Sequence, residues 1–152
     1  MTNKLLSIVV ADGYGVLTKV TGIFSRCEVN VLSLTFASNQ PLMRITVLLQ
    51  GEERKYALAL GLLNKLEDVK ITQWLDEADQ NSCQALLAKV EAVNDKNTLE
   101  TFAHQYGLTL LNTADNVVVV RGCFNFNRTD EVTAGLSKFK LMQLSLSGPF
   151  AL

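Results

Sequence analysis

The sequence predicts an α+β chain built from two β-α-β-β-α-β units in tandem, each an antiparallel sheet with both helices on one face. Strand-type and helix-type apolar periodicities follow one another in that order twice. The order repeats at an offset of about 75 residues, in element pattern more than in residue identity. A polar stretch at 76–82 separates the copies and is the one plausible linker.

In the first copy, Leu5-Leu6-Ser7-Ile8-Val9-Val10 is a mainly β-branched run that ends at Asp12-Gly13-Tyr14-Gly15, a strand entering a loop. From Val16 the apolar side chains Val16, Leu17, Val20, Ile23, Phe24 and Cys27 recur at helical spacing, so this helix buries one face. Residues 29–37 alternate apolar and polar through Val31, Ser33 and Thr35. After the turn Ser38-Asn39-Gln40-Pro41, residues 42–49 form a second β-type run, and the two make a hairpin. A helix over 52–65 sets Tyr56, Ala59, Leu60, Leu63 and Leu66 on one side, and a strand over 69–75 closes the unit.

In the second copy, 83–93 reads as a strand. Asn97 or Thr98 then caps a helix with Leu99, Phe102, Ala103 and Tyr106 on its inner face, and Gly107 stops it. Strands at 108–112 and 117–121 join at Asp115-Asn116, a helix crosses 129–138, and 140–146 is the last strand. Units of this order are ferredoxin-like, which sets domain limits of 1–76 and 83–152. Each buries little core alone, and its free sheet face and edges must be solvated or pair with another copy, which predicts a homodimer.

Composition narrows the function classes. Of the 152 residues, 48% are hydrophobic and 19% charged, which favours a globular chain over a disordered one. The net charge of −1 divides as +1 over 1–76 and −2 over 77–152, without the basic stripe that nucleic acid requires. The longest apolar runs fall short of the roughly 20 residues that cross a bilayer, and no basic segment with a signal-type apolar stretch opens the chain. No membrane partner and a cytoplasmic location are expected. Cys27, Cys83 and Cys123 lack metal-ligand spacing and read as small core residues in a reducing compartment.

Candidate chemistry is sparse. His104, the lone histidine, has no nucleophile or carboxylate in a recognisable triad motif. Glu52-Glu53 and Asp130-Glu131 sit in first helical turns, where acids complement the helix dipole and read as caps. Gly13-Tyr14-Gly15 begins a dinucleotide fingerprint, but Thr18 stands where its third glycine is required. The loop itself remains. Asp12 to Gly15 ends a strand and starts a helix, so its backbone N–H groups face an anion and its small residues let a ligand approach the main chain; a tight turn without a ligand is the alternative.

The run Gly15-Val16-Leu17-Thr18-Lys19-Val20-Thr21-Gly22-Ile23-Phe24-Ser25-Arg26, then Asn30-Val31-Leu32-Ser33-Leu34-Thr35, resembles the start of the acetolactate synthase small-subunit family, whose first module is an ACT domain. Met43-Arg44-Ile45-Thr46 and Leu63-Asn64-Lys65-Leu66-Glu67-Asp68-Val69 continue the resemblance, and residues 83–152 follow it through element order and Ser147-Gly148. The resemblance implies a subunit without an active site or thiamine cofactor. It implies attachment to the catalytic large subunit, activation of it, and feedback inhibition by valine or a related amino acid held between two ACT domains. It puts the effector at Asp12, Gly13, Tyr14, Gly15 and Val16 of one copy and Asn30 of the other, where backbone donors suit a carboxylate and the amide oxygen suits an ammonium group.

The chain departs from the family at Asp12, usually Asn, at Tyr14, usually Pro or a small residue, and at Glu28, where a helix-ending glycine is usual. Asp12 either repels the effector's carboxylate or pairs with its ammonium group. Leu58 and Leu62, one turn apart opposite Tyr56, offer a partner surface. A free-standing tandem-ACT sensor of another enzyme or a transcription factor is the alternative reading. A neighbouring coding sequence for a thiamine-dependent large subunit discriminates between the two.

Overall fold

The computed structural model describes residues 2–75, 82–91, 96–112 and 116–151. It divides into two compact units, Met1–Asp79 with Gly148–Leu152, and Gln80–Ser147. The last five residues, read from sequence as part of the second unit, thus group with the first. The 76–81 part of the expected linker lies outside the described residues.

The first unit runs β1 (Thr2–Ala11), α1 (Val16–Arg26), β2 (Asn30–Asn39), β3 (Leu42–Gly51), α2 (Glu53–Leu63) and β4 (Val69–Leu75), with sheet order β2-β3-β1-β4. All three pairings are antiparallel. This is the ferredoxin-like arrangement: each helix carries the chain across the sheet to a non-adjacent strand. Leu6, Ile8 and Val10 of β1 form one core with Val16, Val20, Ile23 and Phe24 of α1 and Tyr56, Ala59 and Leu63 of α2. Tyr56 is 1% exposed because its hydroxyl donates to the Thr2 and Leu49 carbonyls, satisfying its one polar group.

The alternation expected through Val31, Ser33 and Thr35 is broken by a register shift between Val31 and Ser33. The extra residue, Leu32, is left 44% exposed, and Val31 and Leu34 both pack on the core. Ser33 and Thr35 turn to the opposite face, where Gly148 lies against them: a Cβ there would sit 2.6 Å from Thr35 Oγ1. The Ala151 N–H reaches Thr46 Oγ1 on the same sheet, so this short terminal run is held by side chains distant in sequence.

Helix α1 ends in a Schellman motif. Val29 N–H bonds the Phe24 carbonyl at 2.9 Å and Glu28 N–H that of Ser25 at 3.1 Å, with Glu28 at φ 55°. The left-handed position, where the resemblance leads one to expect glycine, is therefore retained with a strained glutamate. Removing about 1–2 kcal/mol of left-handed strain outweighs the added freedom of glycine in the unfolded chain. Glu28→Gly also removes the exposed ion pair with Lys55 at 2.8 Å, a small loss at the surface, and we expect a net stabilisation of the first unit by about 1 kcal/mol in urea denaturation; no gain, with Glu28→Ala no worse than Glu28→Gly, would mean that the turn absorbs the strain.

The second unit runs β5 (Ser82–Glu91), α3 (Lys96–Tyr106), β6 (Thr109–Asn112), β7 (Val117–Asn125), α4 (Thr129–Leu136) and β8 (Leu141–Leu146), with sheet path β6-β7-β5-β8. Leu86, Ala88, Val90, Val118 and Val120 face Leu99, Ala103 and Tyr106 of α3 and Val132 and Leu136 of α4. Asn97 and Thr98 lie inside α3, so neither is its cap. Gly107 ends α3 as expected, at φ 67° with Leu108 N–H on the Ala103 carbonyl. Among the described residues no helix is long and apolar enough to cross a membrane.

Candidate functional site

The loop after β1 is fixed at both ends. The Asp12 N–H donates to the Pro41 carbonyl at 2.9 Å, its carboxylate accepts from the Ser38 hydroxyl, and Ala11 N–H bonds the Asp68 carbonyl at 2.7 Å. Gly15 is the N-terminal boundary of α1 at φ 75°, a conformation that an L side chain resists, and its carbonyl receives Lys19 N–H at 3.0 Å. Among the described residues the N–H groups of Gly13, Tyr14 and Gly15 have no acceptor, and the first turn of α1 adds donors without intrahelical partners. Val16 is buried beneath the loop, whereas the Tyr14 ring is free in solvent. The loop thus offers backbone donors at and between two glycines, with the Asp12 carboxylate at its start.

Asn30 is not part of this cradle within one chain. It opens β2, opposite Gln50, and the Asp12 contact Ser38 lies eight residues along the same strand, about 25 Å away at strand rise. The structure thus gathers Asp12 to Val16 and leaves Asn30 exposed at the far end of β2. β2 is an edge strand, with Leu32 and Phe36 44% and 54% exposed.

The other flagged residues resolve as structure. Neither Glu52 nor any other side chain caps α2; Glu53 instead pairs with Lys4 at 2.7 Å. His104 is exposed in the last turn of α3. Of the cysteines only Cys27 belongs to a core; Cys83 is half-buried and Cys123 exposed, because both point to the sheet face away from the helices. Leu62 packs partly on the first core, so Leu58 stands alone in solvent and the paired surface is not formed. No cluster of three His, Cys, Asp or Glu side chains occurs among the described residues.

A polar network invisible in sequence spacing joins α3 to α4. The Tyr106 hydroxyl donates to Glu131 at 2.7 Å, Arg128 Nε donates to its other oxygen at 3.1 Å, and the Arg128 guanidinium lies 4.5 Å from the Tyr106 ring centre. The Tyr106 hydrogen bond, then Arg128, lower the Glu131 pKa from its usual 4.5. A carboxylate with a depressed folded pKa contributes stability above its unfolded value, and that contribution is lost as pH falls through the folded one. The second unit should therefore weaken below about pH 4.5, and Glu131→Gln should flatten that dependence. Thermal unfolding between pH 3 and 7, about the range of carboxylate titration, checks this; equal slopes would remove the network from the account.

With the geometry in view, residues 6–71 match the family described as the AHAS small subunit-like ACT domain. The chain is 23% identical over 152 residues to a probable acetolactate synthase small subunit of Methanothermobacter thermautotrophicus, covering 97% of this chain and 90% of that protein. It is 20% identical over 148 residues to chloroplastic acetolactate synthase small subunit 2 of Arabidopsis thaliana, and spans only 31% of that longer protein's length. In fold, it matches the crystal structure of the acetolactate synthase small subunit from Thermotoga maritima at a TM-score of 0.81 and 18% identity, over 100% of this chain and 97% of that one. An ACT-type match in the first unit, a second ferredoxin-like unit and similarity along most of the chain converge on one resemblance: this chain is similar to acetolactate synthase small subunits.

Proposed function

We propose that this chain is the non-catalytic regulatory subunit of an acetolactate synthase: it attaches to the catalytic large subunit, raises its activity, and senses valine or a related branched-chain amino acid between two copies. One observation carries the reading: a unit matching the small-subunit type of ACT domain holds a loop whose N–H groups at 13–15 have no acceptor among the described residues, tied through Asp12 and Ser38 to the end of an exposed edge strand. Pairing β2 with β2 of a second copy, antiparallel about a two-fold axis, brings the Asn30 end of one strand beside the Ser38 end of the other. Asp12, Gly13, Tyr14, Gly15 and Val16 of one copy then face Asn30 of its partner. The donors suit the effector's carboxylate and the amide oxygen its ammonium group. Residues 1–76 are the sensing domain, 83–147 the second domain, and 148–152 group with the first. The place of action is cytoplasmic, and the thiamine cofactor belongs to the large subunit.

Acetolactate formation tests the reading. The chain alone should form none, and titrating it into the cognate large subunit should raise turnover and confer inhibition by valine. Sedimentation at micromolar concentration should show a dimer. Gly15→Asp should abolish the inhibition, because it strains a left-handed position and sets an anion where the effector's carboxylate docks. A large-subunit rate unchanged at saturation would favour the free-standing sensor instead.

A further inference from the structure

Both helices of the second unit cover the Leu86, Ala88 and Val90 side of its sheet. The register sends Leu87 and Lys89 of β5, Val119 and Arg121 of β7 and Leu111 of β6 to the other side. That side is open: Leu87 is 53% and Leu111 39% exposed, and a hollow of about 500 Å³ lies over Leu87, Lys89 and Val119. Lys89 and Arg121 are both exposed, and neither has an ion pair or hydrogen bond among the described residues. Glu91, the acid at the margin, is taken by Lys140. An apolar centre with two cations unpartnered among the described residues is thus set on a sheet where the other polar side chains lining the hollow, Gln143 and Ser145, are uncharged.

We propose that this face docks an apolar patch rimmed by carboxylates on the catalytic subunit, an inference that rests on the regulatory reading above. Charge selects the occupant. A second copy seated on the same face would set Lys89 and Arg121 against their own equivalents, and like charges across an interface oppose association. Carboxylates on a different protein neutralise both cations while the leucine and valine surface leaves water.

Binding of the purified large subunit to the full chain, followed by sedimentation at low and high salt, tests it. The wild type should bind, and more weakly as salt rises. Lys89→Glu with Arg121→Glu should weaken binding about a hundredfold, with the copy number unchanged. Should that variant fail to fold by circular dichroism, Lys89→Gln with Arg121→Gln decides, with about a tenfold loss expected. Binding of the folded variants within a few-fold of wild type overturns the docking surface and leaves the regulatory reading standing. A wild type that does not bind the large subunit overturns both. Loss of self-association in the variants makes this a face between copies, and loss of binding to anionic vesicles with large-subunit binding kept makes it a lipid contact; either result overturns the proposal.

Discussion

Phe24→Ala should destabilise the first unit by about 3–5 kcal/mol, a large part of the roughly 5–15 kcal/mol that holds a small domain folded. The ring is 0% exposed and sits where α1 meets the sheet, among the Ile8, Val10 and Ile45 side chains of one continuous core. It also supports the helix end: the Phe24 carbonyl receives Val29 N–H, and both side chains belong to the same buried cluster, the apolar contact that accompanies a Schellman turn. Truncation therefore removes transfer free energy, leaves a cavity beneath a rigid sheet, and loosens the turn that aims Asn30. Phe36→Ala is the matched control. The same side chain, 54% exposed on edge strand β2, should change the stability of the single chain by no more than about 0.5 kcal/mol. Trp74, the sole tryptophan, packs edge-on to Tyr56 at 5.5 Å and reports this unit by fluorescence in urea. If Phe24→Ala costs under about 1 kcal/mol, the helix is not docked as described.

The fold was legible because both units obey their periodicities: Val16, Val20, Ile23 and Phe24 are buried at helical spacing, and the 69–75 strand is found at its expected limits. What escaped reading depends on contacts distant in sequence. The bulge at Leu32 reverses which of Val31, Ser33 and Leu34 meet the core, because pairing with β3 fixes the register and local alternation does not. Residues 148–151 join the first unit through Ser33, Thr35 and Thr46, more than 100 positions away, a link no local pattern encodes.

The candidate site divides along the same line. The loop at Asp12 to Gly15 was read from its place between strand and helix, and its left-handed turn falls on Gly15, where positive φ has no steric cost, whereas Glu28 takes a left-handed position at the other end of α1 despite its side chain. The tie between Asp12 and Ser38 had no signal, because Ser38 looked like an ordinary turn residue. Asn30 was named by resemblance, and the distance along β2 explains why one chain cannot set it beside the loop.

Asp12→Asn should tighten valine binding by about one to three decades, the second large effect. In the proposed site the effector's carboxylate approaches the Gly13, Tyr14 and Gly15 N–H groups, which have no acceptor among the described residues, and the Asp12 carboxylate opens the same loop. Two like charges about 4 Å apart cost on the order of 1–4 kcal/mol as screening falls from bulk water to a surface cleft, which converts to that span of affinity. The Ser38 hydroxyl holds Asp12 toward β2, so the charge does not swing away when a ligand enters. An amide keeps the shape and accepts the same hydrogen bond, so the substitution removes charge and little else. Calorimetry of valine against wild type, Asp12→Asn and Ser38→Ala separates the two electrostatic roles. Tighter binding by Asp12→Asn identifies a repulsive carboxylate, and Ser38→Ala should then recover part of that gain by releasing the side chain to solvent. Weaker binding by Asp12→Asn would reverse the sign and make Asp12 the ammonium contact. If none of the three binds any branched-chain amino acid, and Gly15→Asp leaves regulation of the large subunit unchanged, the loop is a structural turn and the effector site must be sought elsewhere.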